Sequence, residues 1–108
     1  MPHDPALAAR MRSALARRRG IAEKAMFGGY CWMLNGNMLC GVEVGRFMFR
    51  VGKEREARAL GRRGASPIVF NGRRMGGFVW VDAQSCRGQA LSDWIDFAAT
   101  YVRNLPAK

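Results

Sequence analysis

Apolar residues near the start of the chain recur at the three- and four-residue spacing that is typical of a helix. They are Leu7, Met11, Ala14 and Leu15. Asp4-Pro5 supplies a start signal, because Asp accepts a hydrogen bond from the first turn and Pro already has a helical φ. Gly20 follows three arginines and supplies a stop signal. The pattern therefore predicts a helix over residues 4–19 with a basic end.

From Ala25 onward the pattern changes to that of strands. Asn35-Gly36 stands between two apolar runs and predicts a two-residue hairpin turn, in which both residues need positive φ. Val44-Gly45 offers a second tight turn, and residues 46–51 alternate as a third strand.

A short helix and a second hairpin follow. Residues 53–61 favour a helix that Gly61 ends. The runs 68–70 and 77–81 are typical of two strands joined around residues 71–74.

A final helix completes the predicted order. Its apolar face indicates a helix over residues 89–104, which stops before Pro106; the face comprises Leu91, Trp94, Ile95, Ala98, Val102 and Leu105. The order α-β-β-β-α-β-β-α indicates a single α+β domain over residues 1–108, with an antiparallel sheet and flanking helices.

The tight turns also predict which side chains share a face of the sheet. They place Trp32 opposite Leu39 and Cys31 opposite Cys40. One face is then a core face that the C-terminal helix covers; it comprises Cys31, Met33, Met38, Cys40, Val42, Phe47, Phe49 and Val51. The opposite face is also largely apolar; it comprises Tyr30, Trp32, Leu34, Leu39, Gly41, Met48 and Arg50. A face of this kind is not left bare to water, so a second cover is expected.

Three covers for the second face stay open. The N-terminal helix could pack on it. A second copy of the chain could cover it, which would make a homodimer; the candidate interface residues are Tyr30, Trp32, Leu34, Leu39, Met48 and Arg50. Alternatively, Tyr30 and Trp32 beside Arg50 could form a stacking platform for single-stranded bases.

The same register makes Cys31 and Cys40 a candidate redox pair. A non-hydrogen-bonded pair has its Cα atoms about 4.5 Å apart, which is inside the disulfide range of about 4.4–6.8 Å. However, an odd number of cysteines without a paired framework favours the reducing cytoplasm, where two buried thiols are the favoured state.

The charge of the chain points to a polyanionic partner. Eighteen Lys and Arg face eight Asp and Glu, which gives a net charge of +10, and nucleic acid is the first candidate for such a surface. The arginines cluster at element ends and loops, where long side chains reach phosphates, and four more are expected on exposed helix faces, namely Arg10, Arg12, Arg55 and Arg58. The candidate nucleic-acid-binding residues are Arg17, Arg18, Arg19, Arg62, Arg63, Arg73 and Arg74. A merely solvated surface is the alternative for each cluster, and the sequence indicates no helix-turn-helix for base-specific readout.

The residues that enzymes and metal sites require are not grouped in this sequence. His3 is the only histidine, the cysteine spacing fits no zinc site, and no nucleophile or phosphate-binding motif is present. We therefore expect a protein that is not an enzyme, with no metal, no cofactor and no evident small-molecule substrate. No apolar run reaches the roughly 18–20 residues that span a membrane, and no signal-peptide core is present, so we expect a cytoplasmic protein without a membrane partner.

One motif links the chain to a family. Met26-Phe27-Gly28-Gly29-Tyr30, followed by an apolar strand, an Asn-Gly turn and a return strand that contains Gly, resembles the TfoX N-terminal domain family. The resemblance covers roughly residues 20–104, and Trp94 in the last helix matches as well.

The resemblance implies an α-β3-α-β2-α fold similar to that of secretion chaperones, and it supplies no catalytic residues. It also implies a role in the regulation of transcription, of competence genes in particular. The partner would be nucleic acid or a protein of the transcription machinery. The alternative is a protein–protein adaptor or dimerisation module without direct nucleic-acid contact, in which the charge serves only solubility.

Overall fold

The computed structural model describes residues 4–26 and 29–108, except for the side chain of Met26. The helices and strands are α1 (Pro5–Leu15), β1 (Ile21–Met26), β2 (Gly29–Leu34), β3 (Asn37–Glu43), β4 (Arg46–Arg50), α2 (Glu56–Leu60), β5 (Ala65–Phe70), β6 (Arg73–Asp82) and α3 (Gln89–Val102). Short 3-10 turns at Lys53–Arg55 and Ala83–Ser85 precede α2 and α3. His3, and Phe27 and Gly28 of the family motif, lie outside the described residues.

The predicted α+β class is confirmed, with one strand more than the pattern predicted. Six strands form one open antiparallel sheet in the order β1-β2-β3-β4-β6-β5. The additional strand is β1, most of which lies before the predicted start of the sheet at Ala25. It pairs with β2 from Ile21–Leu34 to Met26–Gly29, so backbone hydrogen bonds rather than an apolar pattern define it.

The first helix starts where the sequence predicts and ends sooner. Asp4 accepts hydrogen bonds from the backbone N–H of Leu7 at 3.2 Å and from that of Gly45 at 3.1 Å, so it caps α1 and ties it to the β3–β4 turn. The helix ends at Leu15 rather than at residue 19. The arginine run 17–19 therefore lies in the connection to β1.

Both Asn-Gly pairs form two-residue turns. The φ angles are 53° and 84° at Asn35 and Gly36, and 53° and 75° at Asn71 and Gly72. Asn and Gly adopt this left-handed conformation most readily. The first turn is therefore as predicted, and the second is shorter than the predicted loop over residues 71–74.

All three helices pack on the same face of the sheet. α3 lies across β3 and β4, and α1 contacts both β3 and α3. In the core between them, the Phe49 ring stacks on that of Trp94 with 5.4 Å between ring centres. Met11 of α1 and Ala59 of α2 belong to the same buried cluster. The prediction that α1 could cover the second face of the sheet is therefore wrong, because α1 shares the first face with α3.

The predicted register of the first hairpin is correct near the turn and wrong beyond it. Leu34 pairs with Asn37 and Met33 with Met38, but the next pair is Trp32 with Cys40. Leu39 is an extra residue in β3, which makes this position a β-bulge. Cys40 and Val42 keep their predicted face, so residues 30–34 of β2, together with Met38 and Leu39 on the turn side of the bulge, face the side opposite to the predicted one.

The bulge corrects the predicted faces. Tyr30, Trp32, Leu34 and Leu39 contact the helix-covered core rather than the second face, and Trp32 is only 2% exposed. Cys31 instead joins the second face, whose apolar cluster comprises Cys31, Met38, Met48, Ile68, Met75, Phe78 and Trp80. We call this set the open face, because sheet residues alone form it within the described part of the chain.

Candidate nucleic-acid interface

The structure separates the three predicted arginine clusters. Arg18 forms an ion pair with Asp96 of α3, whereas Arg17 and Arg19 are exposed beside it. Arg74 forms an ion pair with Glu56 at 2.9 Å, which leaves Arg73 exposed at the tip of the β5–β6 hairpin. Each of these clusters therefore has one cation engaged by a carboxylate.

The Arg62–Arg63 cluster is different, because the fold adds further arginines to it. The guanidinium carbons of Arg55, Arg58 and Arg62 lie 3.8, 5.6 and 4.9 Å from the centre of the Phe97 ring. Arg62 also lies 4.7 Å from the Trp94 ring. We call Arg55, Arg58 and Arg62 the arginine trio.

The chain positions the trio through local spacing and through one tertiary contact. Arg55 and Arg58 are three residues apart at the Lys53–Arg55 turn and in α2, so they project from one side of that segment, and Arg62 follows two residues after α2 ends. Phe97 of α3 lies beneath them, and Arg55 donates a hydrogen bond from Nη1 to the Phe97 carbonyl oxygen at 2.8 Å. Stacking on a ring fixes a guanidinium while leaving N–H groups at its edge for an anion.

The trio concentrates positive charge. In the described part of the chain, none of its members forms an ion pair with a carboxylate. The pKa of Arg55 is lowered by partial burial and by the neighbouring charges of Arg58 and Arg62. Three close cations repel one another, and a polyanion placed beside them would relieve that repulsion.

Two more arginines extend the trio along the start of α3. A cavity of about 390 Å³ is lined by Arg62, Arg63 and Arg87, together with Asp93 and Trp94. Asp93 accepts a hydrogen bond from Gln89 at 3.0 Å. We call Arg55, Arg58, Arg62, Arg63 and Arg87 the arginine surface.

The sequence located this surface only in part. Arg62 and Arg63 were predicted as a candidate cluster, whereas Arg55 and Arg58 carried only the expectation of an exposed helix face. Arg87 stands alone in the sequence and was missed. The available signal was the spacing of Arg55 and Arg58, which places them on one side of the predicted helix over residues 53–61, just before the Arg62–Arg63 pair.

Two other helix arginines bind to groups of the fold itself; Arg10 is half-buried, whereas Arg12 stays exposed as predicted. Arg10 donates hydrogen bonds to the carbonyl oxygens of Ala83 and Cys86 and lies 5.3 Å from the Phe47 ring. Arg12 forms two hydrogen bonds with Glu23, at 2.7 and 2.9 Å. These contacts stabilise α1 on the sheet and leave both cations less free for a phosphate.

The open face is the second candidate surface. Of the six predicted interface residues, Met48 and Arg50 lie on it, while Tyr30, Trp32, Leu34 and Leu39 do not. Cations border its aromatic residues: Arg46 stacks 3.8 Å from the centre of the Trp80 ring, and Arg50 lies 5.5 Å from that of Phe78. Because Arg46 also pairs with Glu43 at 2.6 Å, its charge is partly engaged.

The predicted redox pair is ruled out by the bulge. Cys31 pairs with Gly41 across the strands and faces the open side. Cys40 faces the helices, where its sulfur lies 3.7 Å from that of Met11. The two thiols therefore lie on opposite faces of the sheet and are not placed to form a disulfide.

The thiols are also poor nucleophiles in their surroundings. All three cysteines are buried and free. Burial raises the pKa of Cys31 and of Cys40, and it raises the pKa of Cys86 to about 12. Among the described residues, no three His, Cys, Asp or Glu side chains are grouped to hold a metal ion. No helix in the described ranges is long and apolar enough to cross a membrane.

Comparison with known proteins agrees with the resemblance seen in the sequence. The family model of the TfoX N-terminal domain matches residues 13–100. No curated protein and no solved structure gives a significant match.

Proposed function

The chain belongs to the TfoX N-terminal domain family, and we propose that it is a non-enzymatic regulatory domain that binds nucleic acid through the arginine surface. The arginine trio carries the proposal. Three guanidinium groups surround one ring, and no carboxylate pairs with them in the described residues. Phosphates supply the negative charge that this arrangement lacks, and guanidinium N–H groups match their geometry. A role in regulating transcription is the part of the proposal that the family suggests.

The experiment measures affinity for a labelled duplex by fluorescence anisotropy at several salt concentrations. Each phosphate that the protein neutralises contributes about −0.9 to the slope of log K against log salt. Replacing Arg58 and Arg62 with Gln should therefore make the slope less negative by up to about 1.8 and weaken binding at least roughly tenfold at 0.1 M salt.

A matched control removes the same charge from another predicted cluster. Arg17→Gln with Arg19→Gln takes two exposed arginines from the connection after α1. We expect a clearly smaller loss of affinity for this variant. Equal losses for the two variants would show diffuse charge attraction instead of a site, and no binding of the natural chain at low salt would refute the proposal.

The open face supports a second candidate function, namely self-association or docking of another protein. Its partly exposed members, Met38, Met75, Phe78 and Trp80, form an apolar surface on the side of the sheet away from the helices. Apolar surface of this kind is typical of protein interfaces. This candidate retains the predicted homodimer.

The mass of the protein in solution tests this candidate. If the open face joins two copies, light scattering gives a dimer, and Met38→Glu on that face gives a monomer. Val44→Glu is the matched control, because Val44 is an exposed apolar residue in the β3–β4 turn. A monomeric natural chain, or equal effects of the two changes, would exclude a homodimer through the open face.

A further inference from the structure

A second cavity lies at the end of β4, where the chain leaves the sheet. Its volume is about 410 Å³, and its walls include Arg50, Lys53, Arg55, Gly76, Phe78 and Tyr101. It adjoins both candidate surfaces, because Phe78 belongs to the open face and Arg55 to the arginine surface. The functions proposed for the arginine surface and the open face give this cavity no ligand.

Closely packed glycines form one wall of the cavity. Gly52 has φ of 89°, and a Cβ built there would lie 2.6 Å from Cδ1 of Tyr101. Gly77 has φ of 87°, and its Cβ would lie 3.1 Å from the backbone nitrogen of Lys53. The backbone N–H groups of Val51 and Gly52 both donate to the Gly77 carbonyl oxygen, at 2.8 and 3.1 Å. These contacts fix the wall between β4 and β6 without filling it with side chains.

Gly76 differs from these two glycines, because the fold does not require it. A Cβ at this position would meet only the Lys53 side chain, at an ordinary contact distance of 3.5 Å. The residue is exposed and lines the cavity. A larger side chain at position 76 would therefore occupy the cavity and leave the backbone unstrained.

The walls combine cations with flat apolar groups. The Arg50 guanidinium carbon lies 5.5 Å from the centre of the Phe78 ring and 5.8 Å from that of the Tyr101 ring. In the described part of the chain, Arg50, Lys53 and Arg55 form no ion pair with a carboxylate, and Glu54 is the one acidic residue among the lining residues. Aromatic rings and guanidinium planes stack with bases, while cations bind phosphate.

We infer that this cavity binds one unpaired nucleotide, with its phosphate on Lys53 and Arg55 and its base against Phe78, Tyr101 and the Arg50 guanidinium. The inference deepens and rests on the proposed function, since Arg55 belongs to both sites. It names single-stranded nucleic acid as the preferred ligand. A free mononucleotide carries the same base and phosphate, and the experiment distinguishes it from a nucleotide within a single strand.

The first arm uses small probes with the full chain. Adenosine 5′-monophosphate, adenosine and inorganic phosphate are titrated and followed by amide chemical shifts in NMR. We expect the monophosphate to bind at least tenfold more tightly than either fragment, with shifts centred on residues 50–55 and 76–78. Equal binding of the monophosphate and of phosphate would overturn the inference, since it would indicate an anion site without recognition of a base.

The second arm uses variants of the cavity. Gly76→Leu fills it and Lys53→Gln removes a phosphate-binding cation, so each should weaken monophosphate binding at least tenfold. Lys24→Gln is the matched control, because Lys24 is an exposed lysine on the edge strand β1. Circular dichroism checks that Gly76→Leu folds, and Lys53→Gln tests the site independently. Unchanged binding by Lys53→Gln and by a folded Gly76→Leu variant would overturn the assignment of the cavity.

The third arm compares a single-stranded ten-mer with a duplex of equal length. Tighter binding of the single strand, lost in Gly76→Leu, supports the cavity as a site for an unpaired nucleotide of a strand. If Gly76→Leu abolishes monophosphate binding and leaves both polymers unchanged, the ligand is a free nucleotide, and the assignment to single strands is overturned. If the Arg58 and Arg62 changes weaken polymer binding while no probe enters the cavity, this inference fails and the proposed function stands.

Discussion

Glu23 shows how one residue can join three elements. Its carboxylate accepts hydrogen bonds from Arg12 of α1 and, at 3.1 Å, from the indole N–H of Trp32 of β2. The hydrogen bonds from Arg12 are the main reason that the pKa of Glu23 is lowered, and partial burial opposes them. The carboxylate therefore anchors α1 and the edge strand β1 to the core.

This contact predicts a pH-dependent effect of Glu23→Gln. Because the folded-state pKa is below the unfolded value, the carboxylate stabilises the fold above pH 4.5, and this contribution is lost as the pH falls through the folded-state pKa. At pH 7 we expect the variant to melt roughly 2–4 °C lower. The gap should narrow as the pH falls below 4.5 and close once the carboxylate is protonated in the folded state. Glu54→Gln controls for the change in net charge, and a gap that does not narrow with falling pH would contradict the explanation.

The cysteines predict slow thiol chemistry in the folded protein. With the pKa of Cys86 raised to about 12, its thiolate fraction at pH 8 is on the order of one in ten thousand. A thiol reagent at pH 8 should therefore titrate all three cysteines only after denaturant is added. Its rate with the folded protein should rise roughly tenfold per pH unit up to about pH 10. Rapid modification of one cysteine at pH 8, or a Cys31–Cys40 crosslink after air oxidation, would contradict the structure.

At the scale of elements, the connection after β4 depends on Gly52. Its φ of 89° is unfavourable for other residues, and a Cβ there would overlap the Tyr101 ring. Gly45 has a similar φ of 78°, but a Cβ there would meet nothing within 4 Å. We therefore expect Gly45→Ala to cost about 1 kcal/mol of unfolding free energy and Gly52→Ala about 2–4 kcal/mol, measured by urea denaturation. Equal losses of unfolding free energy in the two variants would show that the Tyr101 ring moves aside to accept the new Cβ.

The elements themselves were largely predictable, because their signals are local. The Asn-Gly turns, the cap at Asp4 and the apolar stripe of α3 each fix a boundary through neighbouring residues. The bulge at Leu39 was not predictable, because Trp32, Leu39 and Cys40 are all apolar and suit either face. The packing of α1 and α3 on one side decides which residues turn inward, and that packing is a tertiary property.

At the scale of the whole molecule, the candidate site could also be predicted only in part from the sequence, because it depends on tertiary contacts. Net charge and the Arg62–Arg63 pair predict a polyanion partner, which stays a prediction, and they do not predict which surface would bind it. The arginine trio exists because α3 places Phe97 under α2. Arg87 joins it because the turn before α3 lies beside Arg62 and Arg63. Neither of these two contacts can be predicted from the order of residues in the sequence.

The net charge of +10 also predicts how stability depends on salt. Self-repulsion destabilises a strongly cationic fold, and salt screens it over a Debye length of about 10 Å at 0.1 M. The melting temperature should therefore rise between 10 mM and 200 mM salt. Arg58→Gln removes one cation from the trio, so it should raise the melting temperature by roughly 1–3 °C at 10 mM salt, and by less at 200 mM.

The matched change is Arg12→Gln, which removes the same charge from a residue bonded to Glu23. This variant should melt lower than the natural chain at both salt concentrations, because the loss of two hydrogen bonds to a carboxylate outweighs the relief of repulsion. If the two substitutions change the melting temperature in opposite directions at 10 mM salt, Arg12 stabilises the fold, whereas the charge of Arg58 destabilises it and is available to bind an anion. If Arg58→Gln instead lowers the melting temperature at 10 mM salt, Arg58 stabilises the fold through its packing on Phe97, and the trio carries no electrostatic cost for a polyanion to relieve.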